Sequence, residues 1–487
     1  MPNPNPIITV ARFALPEPTA TAVVLGEFPG IGEALALAGI TLLPIDAAAR
    51  ANVVLTDRAH LETVFRDNEA RAIVVAGRVR SHQLLRAGYC VDTYIVRSSA
   101  HVPRIVVGSR SHRAQRKLLL ERAVAAPRRL RARNALLAVL LRAGWTPPHS
   151  TFTVATRVPG APFVVRAAQQ HGVPTDVEWF LDLREGAPQQ RWSYQMFPAT
   201  AAVDEPPSRG WIVKFGAAPD ARDGSAADAA GLAGITAVAP VAAQRVPRLL
   251  GRGNVGGLEY TVETIGGLLT LSVALQATWH RETNGALVSN VIDWILAMNC
   301  ESAVDERATD VERARLETEV LARWREVGLR SDPLDRLSEV PGTAIHGDLG
   351  PWNVLVDGAA FTVIDWERFR PAGLALWDLI SFATECYAAI GAPRTGWIER
   401  RLALLRGELE TSELLFATVE RGLAALDLDP AVAGALATMR WLAFAIEDHP
   451  DPFGADSKPA QMARAWVEDP VLGIDWTAWT TWRRDRG

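Results

Sequence analysis

Four residues within the stretch AIHGDLGPWNVLVDGAAFTVIDWE, Ala344 to Glu367, have the types and spacing that phosphoryl transfer requires: His346, Asp348, Asn353 and Asp365. Moving a phosphoryl group asks little covalent work of a protein and a great deal of positioning and charge neutralisation. One carboxylate must face the acceptor hydroxyl. A second carboxylate and an amide oxygen must hold divalent cations, which as hard ions take oxygen ligands.

The elements around these residues are readable locally. Trp352 to Val356 (WNVLV) and Phe361 to Ile364 (FTVI) are short runs rich in β-branched and aromatic residues, separated by Asp357-Gly358, a dipeptide suited to a tight hairpin turn. Such a hairpin brings Asn353, near the start of one strand, beside Asp365, at the end of the other. Asp348 and Asn353 keep the interval that separates base and metal ligand in the H-R-D-L-x-x-x-N signature, and a further metal-binding Asp follows the hairpin there too.

The strings HGDLGPWN and IDWE resemble the hallmark H-G-D-x-x-x-x-N and I-D-[WF]-E of the aminoglycoside phosphotransferase and choline-kinase-like enzymes, which share the protein-kinase-like fold. The resemblance implies that Asp348 is the catalytic base, that Asn353 and Asp365 bind Mg2+, and that His346 supports the catalytic loop. It also implies ATP, with GTP as an alternative, as phosphoryl donor, and a small-molecule acceptor. Gly347 stands where protein kinases carry the Arg that engages a phosphorylated activation loop, which points away from that kind of switching.

A kinase-like amino-terminal lobe must also supply a strand lysine for the nucleotide phosphates, an acid on a helix to pair with it, and a hinge. Lys214 lies in the apolar run Gly210-Trp-Ile-Val-Lys-Phe, which reads as a strand. The closest match to the family's helix acid is Asp228, with Leu232 and Ile235 at the expected offsets; Asp228 is either the partner of Lys214 or a helix-start residue among the small residues of GSAADAAG. The hinge reads as LEYTVETIGG, Leu258 to Gly267, with adenine expected on backbone groups around Glu263 to Ile265. The phosphate-covering hairpin is expected as DVEWFLDL, a loop holding the single Gly186, and RWSYQMFP.

At 487 residues the chain exceeds one such domain. The division expected is an α/β Rossmann-like domain over 1–168, then an α+β two-lobed protein-kinase-like domain with its amino-terminal lobe at 169–267 and a mainly helical carboxy-terminal lobe at 268–487. Thr21 to Leu25, ITLLPI, ANVVLTD, RAIVVAG and RIVVGS read as buried strands between helical or turn segments, an alternation that favours a mostly parallel sheet. A turn at Gly26 to Gly32 after the first strand and Asp46 after the second are the features that bind an adenosine moiety. The order of elements resembles a degenerate class I S-adenosylmethionine-dependent methyltransferase domain, closed by a helix and hairpin over LLRAGWTPPHSTFTVATRVPGAPFVV. That resemblance leaves two readings, cofactor binding or a scaffold packed on the kinase-like part.

Composition narrows the partners. With 51 basic and 55 acidic residues the formal charge is −4, and the Arg-rich segment Arg110 to Arg133 lacks interleaved aromatics, so nucleic acid is not expected. Cys90, Cys300 and Cys386 are isolated, which argues against a disulfide framework or thiolate metal site. The amino terminus lacks the layout of a signal peptide and no apolar run approaches a membrane span, so a cytoplasmic location is expected.

In the carboxy-terminal part, DVERARLETEVLARWREVGL and LALWDLISFATECYAAI read as helices, and Asp378 matches an acid that steadies the catalytic loop, or else caps its helix. Glu447, Asp448, His449 and Asp451 form an acidic group that either receives a cationic acceptor or is a solvated turn. Trp441, Trp466, Trp476, Trp479 and Trp482 are core residues or stack on a sugar face. Two function classes follow: a Mg2+-dependent kinase for a hydroxyl of a small polar molecule, or a slow nucleotide-binding module whose amino-terminal half binds a partner or transfers methyl groups.

Overall fold

The structure is a computed structural model. It describes residues 14–25, 40–44, 51–57, 70–76, 81–99, 102–108, 150–183, 191–199, 209–216, 222–267, 269–275, 281–304, 306–329, 332–390, 396–447 and 457–485, with a few single residues between them. The chain divides into two compact units, one of Met1–Ala226 with Arg248–Ile265 and one of Ala227–Pro247 with Gly266–Gly487.

The first unit is organised by twelve strands in one sheet, in the order β11-β12-β10-β9-β8-β6-β5-β7-β4-β3-β1-β2. The strands are β1 (Thr21–Leu25), β2 (Thr41–Leu42), β3 (Val53–Thr56), β4 (Ala72–Ala76), β5 (Cys90–Ser99), β6 (Val102–Gly108), β7 (Ser150–Thr156), β8 (Val177–Leu183), β9 (Arg191–Pro198), β10 (Arg209–Gly216), β11 (Leu249–Val255) and β12 (Leu258–Gly266). β2, β1, β3 and β4 pair in parallel, as the alternating pattern predicts. The expectation of a mostly parallel sheet does not extend further. β7 runs antiparallel between β4 and β5, and β5 turns into β6 after two residues, a connection too short for anything but an antiparallel pair.

The boundary placed after residue 168 coincides with no break in this sheet. β6 pairs with β8, matching Val106 to Leu181 and Val107 to Phe180, so the hydrogen-bonded ladder runs straight from the amino-terminal strands into the strands that carry Lys214. One core cluster draws on both sides of that boundary, from Ala22, Val53 and Phe152 to Trp179, Tyr194, Phe215 and Val262. The segment APFVV, expected as a hairpin strand, forms helix α1 (Phe163–Gln169). Pro162 occupies its N-cap, and Phe163, Val164, Val165, Ala167 and Ala168 are buried, so core packing overrides the strand preference of its β-branched residues.

The turn Gly26 to Gly32 apart from Phe28, Asp46, the loop holding Gly186 and, apart from Gln115, the Arg110 to Arg133 segment lie outside the described residues. Among the described residues no helix is long and apolar enough to cross a membrane. All three cysteines are free thiols.

The second unit is mainly helical. Its helices include most of α2 (Arg222–Val238), α3 (Arg281–Glu301), α4 (Trp377–Ala389) and α5 (Ala433–Glu447). Two small sheets complete it: β13 (Leu269–Thr270) with β15 (Val354–Asp357) and β16 (Ala360–Val363), and β14 (Gly342–Ile345) with β17 (Arg370–Leu374). The expected hairpin is the β15–β16 pair, with Gly358 in the left-handed region at φ +58°. Trp441, Trp466, Trp476 and Trp479 are buried in this unit, which places these four in the core, and Trp482 is half-buried against Phe416.

Candidate active site

The loop that carries Asp348 is the connection from β14 to β15. β14 is held from one side by its pairing with β17 and from the other by α3, where Asn299 donates to the Ala344 carbonyl at 3.4 Å and Ser302 accepts from the Ala344 N–H at 2.8 Å. Asn299 Oδ1 also accepts from the N–H of Leu376, the left-handed residue from which α4 starts. One α3 side chain thus ties the start of the loop to the start of the helix beneath it.

His346 is fully buried and uses both ring nitrogens. Nε2 bonds to the Ile364 carbonyl at 2.9 Å, and the Asp348 N–H donates to Nδ1 at 3.3 Å. The second bond makes Nδ1 the acceptor, so the proton resides on Nε2. His346 therefore joins the loop carrying Asp348 to the segment carrying Asp365.

Asp378 lies in the first turn of α4, but its carboxylate does not cap that helix. It accepts the His346 N–H at 2.5 Å and the Gly347 N–H at 3.1 Å. Burial pushes the Asp378 carboxyl up, against the opposing effect of His346, the two N–H donors and Arg440. Gly347 sits at φ +85°, and a Cβ there would lie 2.5 Å from the Arg368 carbonyl oxygen, so the position admits only glycine.

Asn353 is buried and turns its Nδ2 toward Asp348, reaching the carbonyl at 2.9 Å and Oδ2 at 3.3 Å. Its own carbonyl accepts from the Ile364 N–H at 2.9 Å, which sets it beside Asp365 across the β15–β16 hairpin. With the amide nitrogen committed to Asp348, Oδ1 is the donor atom left for a cation. Asp365 adopts φ +73°, a conformation Asp tolerates better than most residues. One amide oxygen and one carboxylate suit Mg2+, which completes its shell with phosphate and water oxygens. No group of three or more His, Cys, Asp or Glu side chains that could hold a metal occurs among the described residues.

Asp228 is found in this unit, buried on α2, where its Oδ1 accepts the Trp366 N–H at 2.8 Å. The residue after Asp365 is thereby pinned to the helix. Gly231 and Gly234 follow on the same face: a Cβ at Gly231 would lie 2.0 Å from the Trp366 carbonyl oxygen, and one at Gly234 would lie 2.4 Å from Phe369 Cε1. Glycine costs helix stability, and here it permits the close approach of the loop backbone. Trp366 is itself fully buried, 4.8 Å from the His346 ring.

In the first unit, Lys214 is buried on β10 and forms an ion pair with Glu263 Oε2 on β12 at 3.0 Å. Glu263 also accepts from Thr261 Oγ1 at 3.2 Å. Glu263 and Ile265 were expected at the adenine. Both lie within β12, with Ile265 buried, and the side chain of Glu263 goes to Lys214. β12 ends at Gly266, and Gly267 turns the chain at φ +90°. In sequence, Lys214 inside an apolar strand signals that a partner is needed, but not which strand supplies it.

Glu447, expected in an acidic group for a cationic acceptor, is engaged by arginines instead. Its Oε1 accepts from Arg370 at 2.7 Å and Arg315 at 3.1 Å, and Glu312 bonds to the same two arginines. Asp448, His449 and Asp451 lie outside the described residues. Burial pushes the Glu447 carboxyl up, yet Arg370, Arg315 and Arg440 outweigh it and hold the group below its ordinary 4.5. A carboxylate with a depressed folded pKa stabilises the fold above its unfolded value and loses that contribution as pH falls through the folded one. Glu447→Gln is therefore expected to cost about 1.5–3 kcal/mol at pH 7. In urea titrations from pH 7 to pH 3, the gap to wild type should begin to close below the ordinary value of 4.5.

A loop that fixes one half-buried carboxylate, and beside it an amide oxygen and a second carboxylate, is the arrangement that metal-assisted group transfer to a hydroxyl requires. Residues 200–417, under half of the chain, match the model of the Phosphotransferase enzyme family. No curated protein matches the chain.

Proposed function

We propose that this chain transfers the γ-phosphoryl group of ATP, or of GTP, to a hydroxyl of a small polar molecule such as a sugar, an aminoalcohol or an aminoglycoside-like compound. The observation that carries this reading is the hydrogen-bonded unit His346, Asp348, Asn353 and Asp378, in which backbone and ring contacts aim two metal-ligand candidates and one carboxylate without consuming the Asn353 oxygen. In this reading Asp348 orients the acceptor hydroxyl and takes its proton, and Lys214 neutralises nucleotide phosphate oxygens. Asn353 and Asp365 hold Mg2+, which when bound supplies charge neutralisation on the phosphates. The match over 200–417 supports the reaction class and leaves the acceptor to experiment.

The test is transfer from MgATP or MgGTP to a panel of sugars, aminoalcohols and aminoglycosides, read by product mass, alongside nucleotide affinity with and without Mg2+. Wild type should bind MgATP on the order of tenfold or more tightly than free ATP, and Asp365→Ala should erase that difference. Equal affinity of wild type for MgATP and free ATP would contradict the proposal. Bound nucleotide with no labelled acceptor would favour the slow nucleotide-binding module.

A further inference from the structure

We propose that Glu263 is the positioning residue for Lys214, a task that the kinase-like resemblance gives to an acid on a helix. The inference rests on Lys214 being the ligand of the nucleotide phosphates, and it names the strand carboxylate that aims it.

Both partners lie on interior strands of the sheet. β10 has β12 and β9 as neighbours, and β12 has β11 and β10. Lys214 is held in register with Ser193, and Glu263 with Leu249. Their Cα positions are therefore set by ladders on both flanks. The two side chains meet at 3.0 Å with almost no exposure, 6% for Lys214 and 1% for Glu263. Thr261 Oγ1 fixes the other carboxylate oxygen, so Glu263 has one orientation. A flexible four-carbon lysine stem tethered this way presents its ammonium from a constant place, and an ammonium has three protons, enough to meet both a carboxylate and phosphate oxygens.

Asp228 grips the Trp366 N–H beside Asp365, and Gly231 seats the same backbone against α2. The Lys214–Glu263 pair is built between neighbouring strands of one sheet, so the lysine is held by the ladder itself.

MgATP affinity, measured calorimetrically on the full chain, tests this with Lys214→Met, Glu263→Gln, Glu263→Asp and the Lys214→Met/Glu263→Met pair. Glu263→Gln should weaken binding about tenfold, close to the loss in Lys214→Met. The double variant should bind no more weakly than Lys214→Met alone, because the carboxylate acts through the lysine. Glu263→Asp keeps the charge but retracts it by one methylene, and should give intermediate affinity; it also serves if Glu263→Gln does not fold. A purely structural pair would lower the melting temperature and leave affinity within twofold of wild type, and that result overturns the inference. Additive losses in the double variant overturn it equally. Wild type that binds no MgATP would instead remove the reading of Lys214 on which it rests.

Discussion

Asp348→Ala is expected to lower phosphoryl transfer by about 10²- to 10⁴-fold, the range for loss of a positioned general base. MgATP affinity and melting temperature should stay near wild type. The separation follows from which atoms of Asp348 hold the loop together. Its N–H donates to His346 and its carbonyl accepts from Asn353, contacts that alanine preserves. The carboxylate is lost, with its longer 3.3 Å contact from Asn353 Nδ2. Asp348→Asn provides the isosteric comparison and should be as inactive. Steady-state kinetics with whichever acceptor the panel identifies would check this, and more than a tenth of wild-type turnover in the alanine variant would remove Asp348 from the role of base.

The second large effect is expected at a helix glycine with no side chain to take part in chemistry. Gly231→Ala adds one methyl group, yet that carbon would stand 2.0 Å from the Trp366 carbonyl oxygen, 2.9 Å from its carbonyl carbon and 3.0 Å from Phe369 Cβ. Two of these are backbone atoms and cannot rotate away. Either α2 lifts or the segment after Asp365 moves, and the Asp228 to Trp366 bond stretches in both cases. Overpacking of this kind costs about 1–3 kcal/mol, and displacement of Asp365, the proposed metal ligand, should lower turnover by at least about tenfold. Gly285→Ala in α3 is the control: nothing lies within 4 Å of its Cβ, so removing a helical glycine should stabilise the protein by about 0.5–1 kcal/mol with activity unchanged. Thermal melts and turnover on the two variants separate close approach from helix propensity.

Gly231 also marks where sequence stopped being informative. His346, Asp348, Asn353 and Asp365 were legible because their geometry is local: a loop, a five-residue interval and a hairpin whose turn residues announce it. Lys214 was legible because a charge inside an apolar strand is conspicuous. Its pairing with Glu263 was not, since which strands become neighbours depends on the whole sheet. The same holds for Gly231 and Gly234, whose meaning lies in a backbone more than a hundred residues away, and for Asn299, one polar residue among many until α3 meets β14. β5 went unseen because Asp92 and Arg97 interrupt its apolar residues. Helix α1 was misread because Val164 and Val165 favour strands in isolation, and their burial is what decides.

The β6–β8 pairing has a consequence for where the chain can be divided. A domain that can be cut out and spliced elsewhere needs a complete surface, and β8 lacks one: its flank is closed by a strand from the first part of the chain. Freed from β6, the run VEWFLDL would offer an unpaired edge bearing Trp179, Phe180 and Leu181, the kind of edge that recruits other chains. A chain cut between β6 and β8 is therefore expected to associate through that edge, where the uncut chain keeps it paired.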